Sequence, residues 1–270
     1  MSDHALISLS VPAAQLARLA SRPRGIAISC IFLLTALGWS ALALMSVESG
    51  SPWAAICHQG WAGEITVAGV TLLAGMWVAM TLAMMIPSAA PMILTYAEIA
   101  DTAARKGDAI VSPFVLTAGY ITVWLGFALV IAAIQTTAGQ LAGDGNPAVS
   151  RMVAGLIFGS AGLYQFSALK HACLHQCRHP FQFFFTNWKT TARGVFGLGI
   201  RQGLFCLGCC WAAMTVMAAL GVMNIVWMVV LGIVMIVEKL AASRWPSYAI
   251  GTGLIAIGFG FMVLGTTGNF

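Results

Sequence analysis

Apolar residues in this chain come in long runs, not in short alternations with polar ones. Runs near 26–46, 66–87, 113–135, 151–169, 196–220, 225–238 and 247–266 each approach the roughly 20 residues that a helix needs to cross hydrocarbon. They lack the period-two pattern of a membrane barrel, so the pattern predicts about seven transmembrane helices. Two of them look irregular. The second run continues through Pro87 and Pro91 toward Glu98, and proline removes a backbone donor and kinks a helix, which predicts a bent or broken end. The sixth is short if it ends at Glu238. The first run is too long for a signal-peptide core and has no small-residue cleavage site behind it, so it reads as a retained helix. Before it, residues 1–25 form a tail with a weakly amphipathic stretch at 5–20.

Composition makes the membrane assignment firmer. Of 270 residues, 60% are hydrophobic and 8% charged, with a mean hydropathy of +0.90. A soluble domain carries roughly 25% charged residues. Lipid must therefore cover most of the outside, and there only helices or closed barrels satisfy the backbone. The expected fold is an all-α polytopic membrane bundle, with a single transmembrane domain over 26–270 behind the 1–25 tail.

The cations then orient it. Arg18, Arg22, Arg24, Arg105, Lys106, Lys170, Arg178, Lys189, Arg193, Lys239 and Arg244 fall on one side of the predicted helices, leaving only Arg151 and Arg201 elsewhere. By the positive-inside rule the N-terminus is cytoplasmic. The sequence pI near 9.0 is this asymmetry, so no nucleic-acid partner is expected; the lipid bilayer is. No P-loop or dinucleotide fingerprint appears, and no histidine falls in a confident helix interior, so neither nucleotide nor haem is expected. Six of the seven cysteines lie in helices or on the cytoplasmic side, where thiols stay reduced. Cys57, beside His58 in a predicted external loop, is read as incidental.

Sulfur is patterned. Met76, Met80 and Met84 step by four along one face of the second helix, with Met85 adjacent. In the fifth helix Cys206, Cys210, Met214 and Met217 form a stripe, and Cys209 lies three residues from Cys206. Methionine is an ordinary apolar filler and cysteine helps helices pack. Thiolate and thioether sulfur are also soft ligands suited to Cu(I). In the sixth segment Glu238 follows Met228 and Met235 on nearly the same face. An intramembrane carboxylate is costly and has a partner; a salt bridge to Lys239, Arg244 or Arg201 and a proton or metal role both remain open.

After the fourth helix, His171, Cys173, His175, Cys177 and His179 fall within nine residues. On one continuous helix the three histidines share one face and the two cysteines another, so both sets cannot reach one ion without a break or a partner helix. Imidazole with thiolate suits copper or zinc. Phe181 to Trp188 then reads as an interfacial aromatic segment.

These residues resemble a known pattern in three blocks. The first is Met76-Trp77, Met80 and Ala83-Met84-Met85 with Pro87 and Pro91. The second is Tyr164-Gln165, Leu169-Lys170, Cys173-Leu174 and Cys177-Arg178 with Pro180. The third runs from Cys206-Leu207-Gly208-Cys209-Cys210-Trp211 through Met214, Gly221, Met223-Asn224 and Trp227-Met228 to Glu238-Lys239. Over about 66–245 the chain is similar to bacterial integral membrane proteins described as predicted metal-binding, a domain of unknown function. The resemblance implies a multi-pass protein of the bacterial inner membrane that binds metal, and it names no reaction. His171, His175 and His179 fall outside its pattern. Candidate metal ligands are therefore Met76, Met80, Met84, Met85, Cys173, Cys177, Cys206, Cys209, Cys210, Met214, Glu238, His171 and His175. Copper is favoured and zinc is the alternative. The role stays open between copper handling (transport, insertion or homeostasis), a metal-dependent oxidoreductase or a subunit of one, and a structural or assembly subunit. A membrane-complex partner or a soluble metal-binding partner would fit.

Overall fold

The structure is a computed structural model that describes residues 23–47, 67–141, 147–219, 225–241 and 243–266. Most of the N-terminal tail, Cys57-His58 and Met223-Asn224 lie outside the described residues. Every described element is helical, with no strand among them. In chain order they are α1 (Pro23–Val47), α2 (Val67–Met80), a π turn (Thr81–Met85), α3 (Ile86–Arg105), α4 (Pro113–Leu141), α5 (Pro147–Tyr164), α6 (Ala168–Arg178), α7 (Pro180–Asn187), α8 (Ala192–Ala219), α9 (Ile225–Leu240) and α10 (Trp245–Thr266).

Five of these spans are long and apolar enough to cross a membrane: Pro23–Met45, Gly69–Arg105, Pro113–Thr137, Ala192–Met217 and Trp245–Thr266. Val149–Tyr164 and Ala168–Arg178, bent by 64° at their junction, bring the number to six if they count as one span. The sequence predicts seven. The difference is α9, whose 16 residues reach about 24 Å against a hydrocarbon core of roughly 30 Å.

The second predicted helix is not broken at its prolines. It runs as one 37-residue span from Gly69 to Arg105, and the irregularity sits just before Pro87, in the π turn Thr81–Met85. Pro87 has no N–H to return to the carbonyl of Ala83, four residues back. One extra residue in the turn widens the ladder there without ending the helix.

Two tightly packed pairs frame the bundle. On α5 and α10, Gly155 and Gly162 face Gly258 and Gly251. A Cβ at Gly162 would come within 2.8 Å of the Gly251 carbonyl, and one at Gly155 within 2.9 Å of the Gly258 carbonyl. Small residues let membrane helices approach this closely. Gly119 on α4 and Gly199 and Gly203 on α8 do the same for that pair. Between them, α2, the π turn, α3, α6 and α9 enclose a core of buried methionine, cysteine and aromatic side chains.

The fourth predicted helix ends earlier than its apolar run, and the chain breaks again at Pro180. Helix α5 stops at Tyr164, and Ser167 then caps α6, its Oγ accepting from the Lys170 N–H at 3.1 Å. His179 closes α6 by donating its N–H to the His175 carbonyl at 3.2 Å, and Pro180 starts α7, where its missing donor costs nothing. The aromatic segment is this short helix, with Phe183 and Phe184 buried and Phe181 and Phe185 exposed.

Candidate metal centre

The strongest ligand set comes from one helix. Cys206, Cys209 and Cys210 on α8 are all buried, and their Sγ atoms lie within 4.8 Å of one another. Helical spacing of three and four puts the three on one face. Cys206 Sγ is 3.9 Å from Cys210 Sγ. Cys209 and Cys210 donate to the Cys206 carbonyl at 3.1 and 2.8 Å, which fixes their rotamers.

Other elements complete the shell. From the π turn, Met85 places Sδ 3.8 Å from Cys210 Sγ. From α6, Cys177 comes close to Cys209 and lines the same cleft as Cys206. Cys173 packs on Gly208, where a Cβ would stand 2.6 Å from Cys173 Sγ. Gly208 thus lets the α6 thiols approach α8, and Tyr164 Oη grips its carbonyl at 2.5 Å. The five cysteines of two separate sequence segments face one another in space.

Polar groups surround the sulfur. Tyr120 Oη lies 3.0 Å from Cys206 Sγ and donates to the Met85 carbonyl at 3.2 Å. Lys239 Nζ donates to Cys206 Sγ at 3.2 Å and to Ser88 Oγ at 2.8 Å, and Ser88 in turn donates to the Met85 carbonyl at 2.9 Å. No carboxylate pairs with Lys239 among the described residues. Its ammonium therefore faces the thiols. A narrow cleft of about 140 Å³ opens on Cys206, Cys177, Tyr120 and Lys239. Gln202, buried in its wall, has an Nε2 without a hydrogen-bond partner.

The remaining candidates divide. Met76, Met80, Met84 and Met214 are buried in the same core. Met84 turns toward α9, its Cε 3.7 Å from where a Gly232 Cβ would stand; it is Met85 that touches the thiols. Glu238 is held by Lys170, whose Nζ lies 2.8 and 2.9 Å from the two carboxylate oxygens. Lys170 also donates to Gln165 Oε1. The partner is thus neither Lys239, Arg244 nor Arg201 but a lysine 68 residues away, on α6. Arg178 adds two bonds to the Glu238 carbonyl, at 3.0 and 2.6 Å. His171 and His175 do not join the thiol cluster but line the adjoining cleft with His179. The His171 ring packs against Tyr248 at 5.6 Å, and the His175 and His179 rings are 4.5 Å apart.

Tyr120, Ser88, Gln202 and Lys239 are absent from the sequence-derived set. For Lys239 a signal existed, since it stands in the third resembling block; for Ser88 the only hint is its place between Pro87 and Pro91. Nothing in the sequence marks Tyr120.

Three sulfur ligands at these separations, a thioether beside them and a nearby ammonium are suited to a soft monovalent ion, because such ions take few, polarisable ligands. No curated protein and no solved structure matches the chain. A family model described as PpoB2, copper chaperone, matches residues 74–261, a stretch from α2 to α10 that contains every residue of the cluster. On that match the chain belongs to the PpoB2 copper chaperone family.

Proposed function

We propose that this protein is a membrane-embedded Cu(I) chaperone that holds its cargo on Cys206, Cys209 and Cys210, with Met85 and Cys177 as exchange ligands. The observation that carries the reading is the buried three-thiol cluster with a methionine sulfur against it. Thiolate and thioether donors favour Cu(I) over harder ions, and several overlapping sites of unequal strength let an ion leave as well as enter. Cys177, half-buried and lining the cleft with Cys206, is the ligand by which copper passes between the outside and the buried thiols.

In this reading α6, α7 and the cleft face the cytoplasm at the bacterial inner membrane, and the clustering of Lys and Arg on that side supports it. Copper would be received there and handed to an acceptor, a soluble metal-binding protein or a membrane complex that needs the metal inserted.

Anaerobic loading of the purified protein with Cu(I), followed by elemental analysis, tests the reading. One tightly held copper per chain is expected, lost when Cys206, Cys209 and Cys210 are replaced by serine. Wild-type protein that retains no copper after loading overturns it.

A further inference from the structure

Beside the thiol cleft lies a second depression of about 340 Å³, walled by His171, His175, Arg178, His179, Lys239 and Arg244. Its volume falls at the small end of small-molecule sites. No aspartate or glutamate lines it. The carboxylate adjacent in sequence to Lys239, that of Glu238, is engaged by Lys170. Arg178 spends its guanidinium on the backbone carbonyls of Glu238 and Ser243, which orient it without cancelling its charge. His171 Nε2 is buried and has no hydrogen-bond partner.

Low-dielectric walls of one sign focus the field in a cleft and raise the local concentration of the opposite charge. Three positive side chains repel a free metal cation and attract an anion. The depression is also contiguous with the thiol cleft, because Arg178, Lys239 and Leu240 line both.

We infer that this basic cleft receives copper as a small anionic Cu(I)–thiolate complex, the thiol carrying carboxylates that dock on Arg178 and Arg244. The inference rests on the copper-binding reading above and names the form in which the cargo arrives. Transfer is ligand exchange. A bond forms between Cys177 Sγ and Cu(I) while the bond from Cu(I) to a donor sulfur breaks, and the proton released by the Cys177 thiol goes to the departing donor thiolate. Cys206 Sγ then displaces Cys177 from copper, its proton passing to the Cys177 thiolate, and copper remains Cu(I) with no electron transferred.

The test uses the full chain in detergent and two donors with the same thiol: the Cu(I) complex of glutathione, and that of its diethyl ester, whose carboxylates are blocked. Copper arrival is followed by the ultraviolet thiolate-to-Cu(I) absorbance. Wild type is expected to take copper about tenfold faster from the free acid than from the ester. Arg244→Gln is expected to slow the free-acid donor about threefold to tenfold and leave the ester donor unchanged, and Arg244→Lys to restore the rate. Equal rates from both donors in wild type, or equal slowing of both in Arg244→Gln, overturn the inference. So does an Arg244→Gln effect confined to retention on phosphatidylglycerol vesicles, which would make the ligand a lipid phosphate. Uptake from the ester alone would leave copper binding standing while removing the anionic donor; uptake from neither donor would remove both.

Discussion

Cys210 Sγ lies 3.8 Å from Met85 Sδ across 125 residues of chain, so the sulfur cluster of α8 is closed by a side chain from the π turn. A thioether there adds a neutral soft ligand to the thiols, which strengthens Cu(I) binding without adding negative charge. Met85→Leu, of similar volume, should lower Cu(I) affinity by about tenfold, the scale at which single supporting groups act in metal sites. Competition with a chromogenic Cu(I) chelator would measure it, and unchanged helicity by circular dichroism would show that the bundle is intact.

Lys239 is the one ammonium among the described residues placed within hydrogen-bonding distance of a cluster thiol. Two thiolates on Cu(I) leave a net negative charge in a low-dielectric interior, and a nearby cation offsets it. Lys239→Met should weaken Cu(I) binding roughly tenfold. Lys239→Arg, which keeps the charge but not the shape, should weaken it less. The same chelator competition on the two variants separates charge from packing, since a pure packing role would penalise both.

Lys170 and Glu238 are nearly fully buried, with side chains 1% and 4% exposed, and their ion pair joins α6 to α9. Removing one partner of such a pair strands the other charge and costs about 3–5 kcal/mol, whereas replacing both with apolar residues is often close to neutral. Lys170→Met should therefore lower the thermal midpoint strongly, and the double variant Lys170→Met/Glu238→Leu should recover most of it. Thermal unfolding followed in detergent reads the difference. A double variant as unstable as the single one would show that the pair does more than neutralise itself.

Gly208 is where α6 leans on α8, and a methyl group there would stand 2.6 Å from Cys173 Sγ. Contacts that short do not survive, so in Gly208→Ala the thiol must rotate away. Maleimide labelling mapped by mass spectrometry should find Cys173 faster to react than in wild type, with Cys206, Cys209 and Cys210 still protected. Equal Cys173 reactivity in both proteins would mean that the helices separate instead.

How much of this was legible in the sequence differs from residue to residue. Cys206, Cys209 and Cys210 could be grouped because helical spacing alone puts them on one face. Met76, Met80 and Met84 are all buried, but the contact with the thiols is made by Met85, since the π turn shifts the phase that a spacing of four assumes. Cys173 and Cys177 were separable from the histidines by face. That their face meets α8 depends on the 64° bend after Tyr164 and on the missing side chain at Gly208, and neither is a periodicity. The partner of Glu238 was misjudged for the same reason: proximity in sequence favoured Lys239 and Arg244, while the packing of α6 on α9 brings Lys170. The helical bundle itself was the easiest part, because apolar run length decides it; the count of spans is less sharp, since the fourth run is bent and α9 is short.

The π turn at Thr81–Met85 carries a consequence for how this span tolerates change in length. An inserted residue advances everything after it by about 100° around the axis. The two halves of the span therefore present differently indexed surfaces to the bundle, with Trp77 set against Gln135 on one side of the turn and Ser88 set against Lys239 on the other. Deleting a single residue between Thr81 and Met85 would let the turn relax toward ordinary α-helical winding, with Pro87 and Pro91 still lacking their donors. It would also rotate Ser88 and Met92 out of the cleft together, so the span would stay whole while the copper entrance lost one wall.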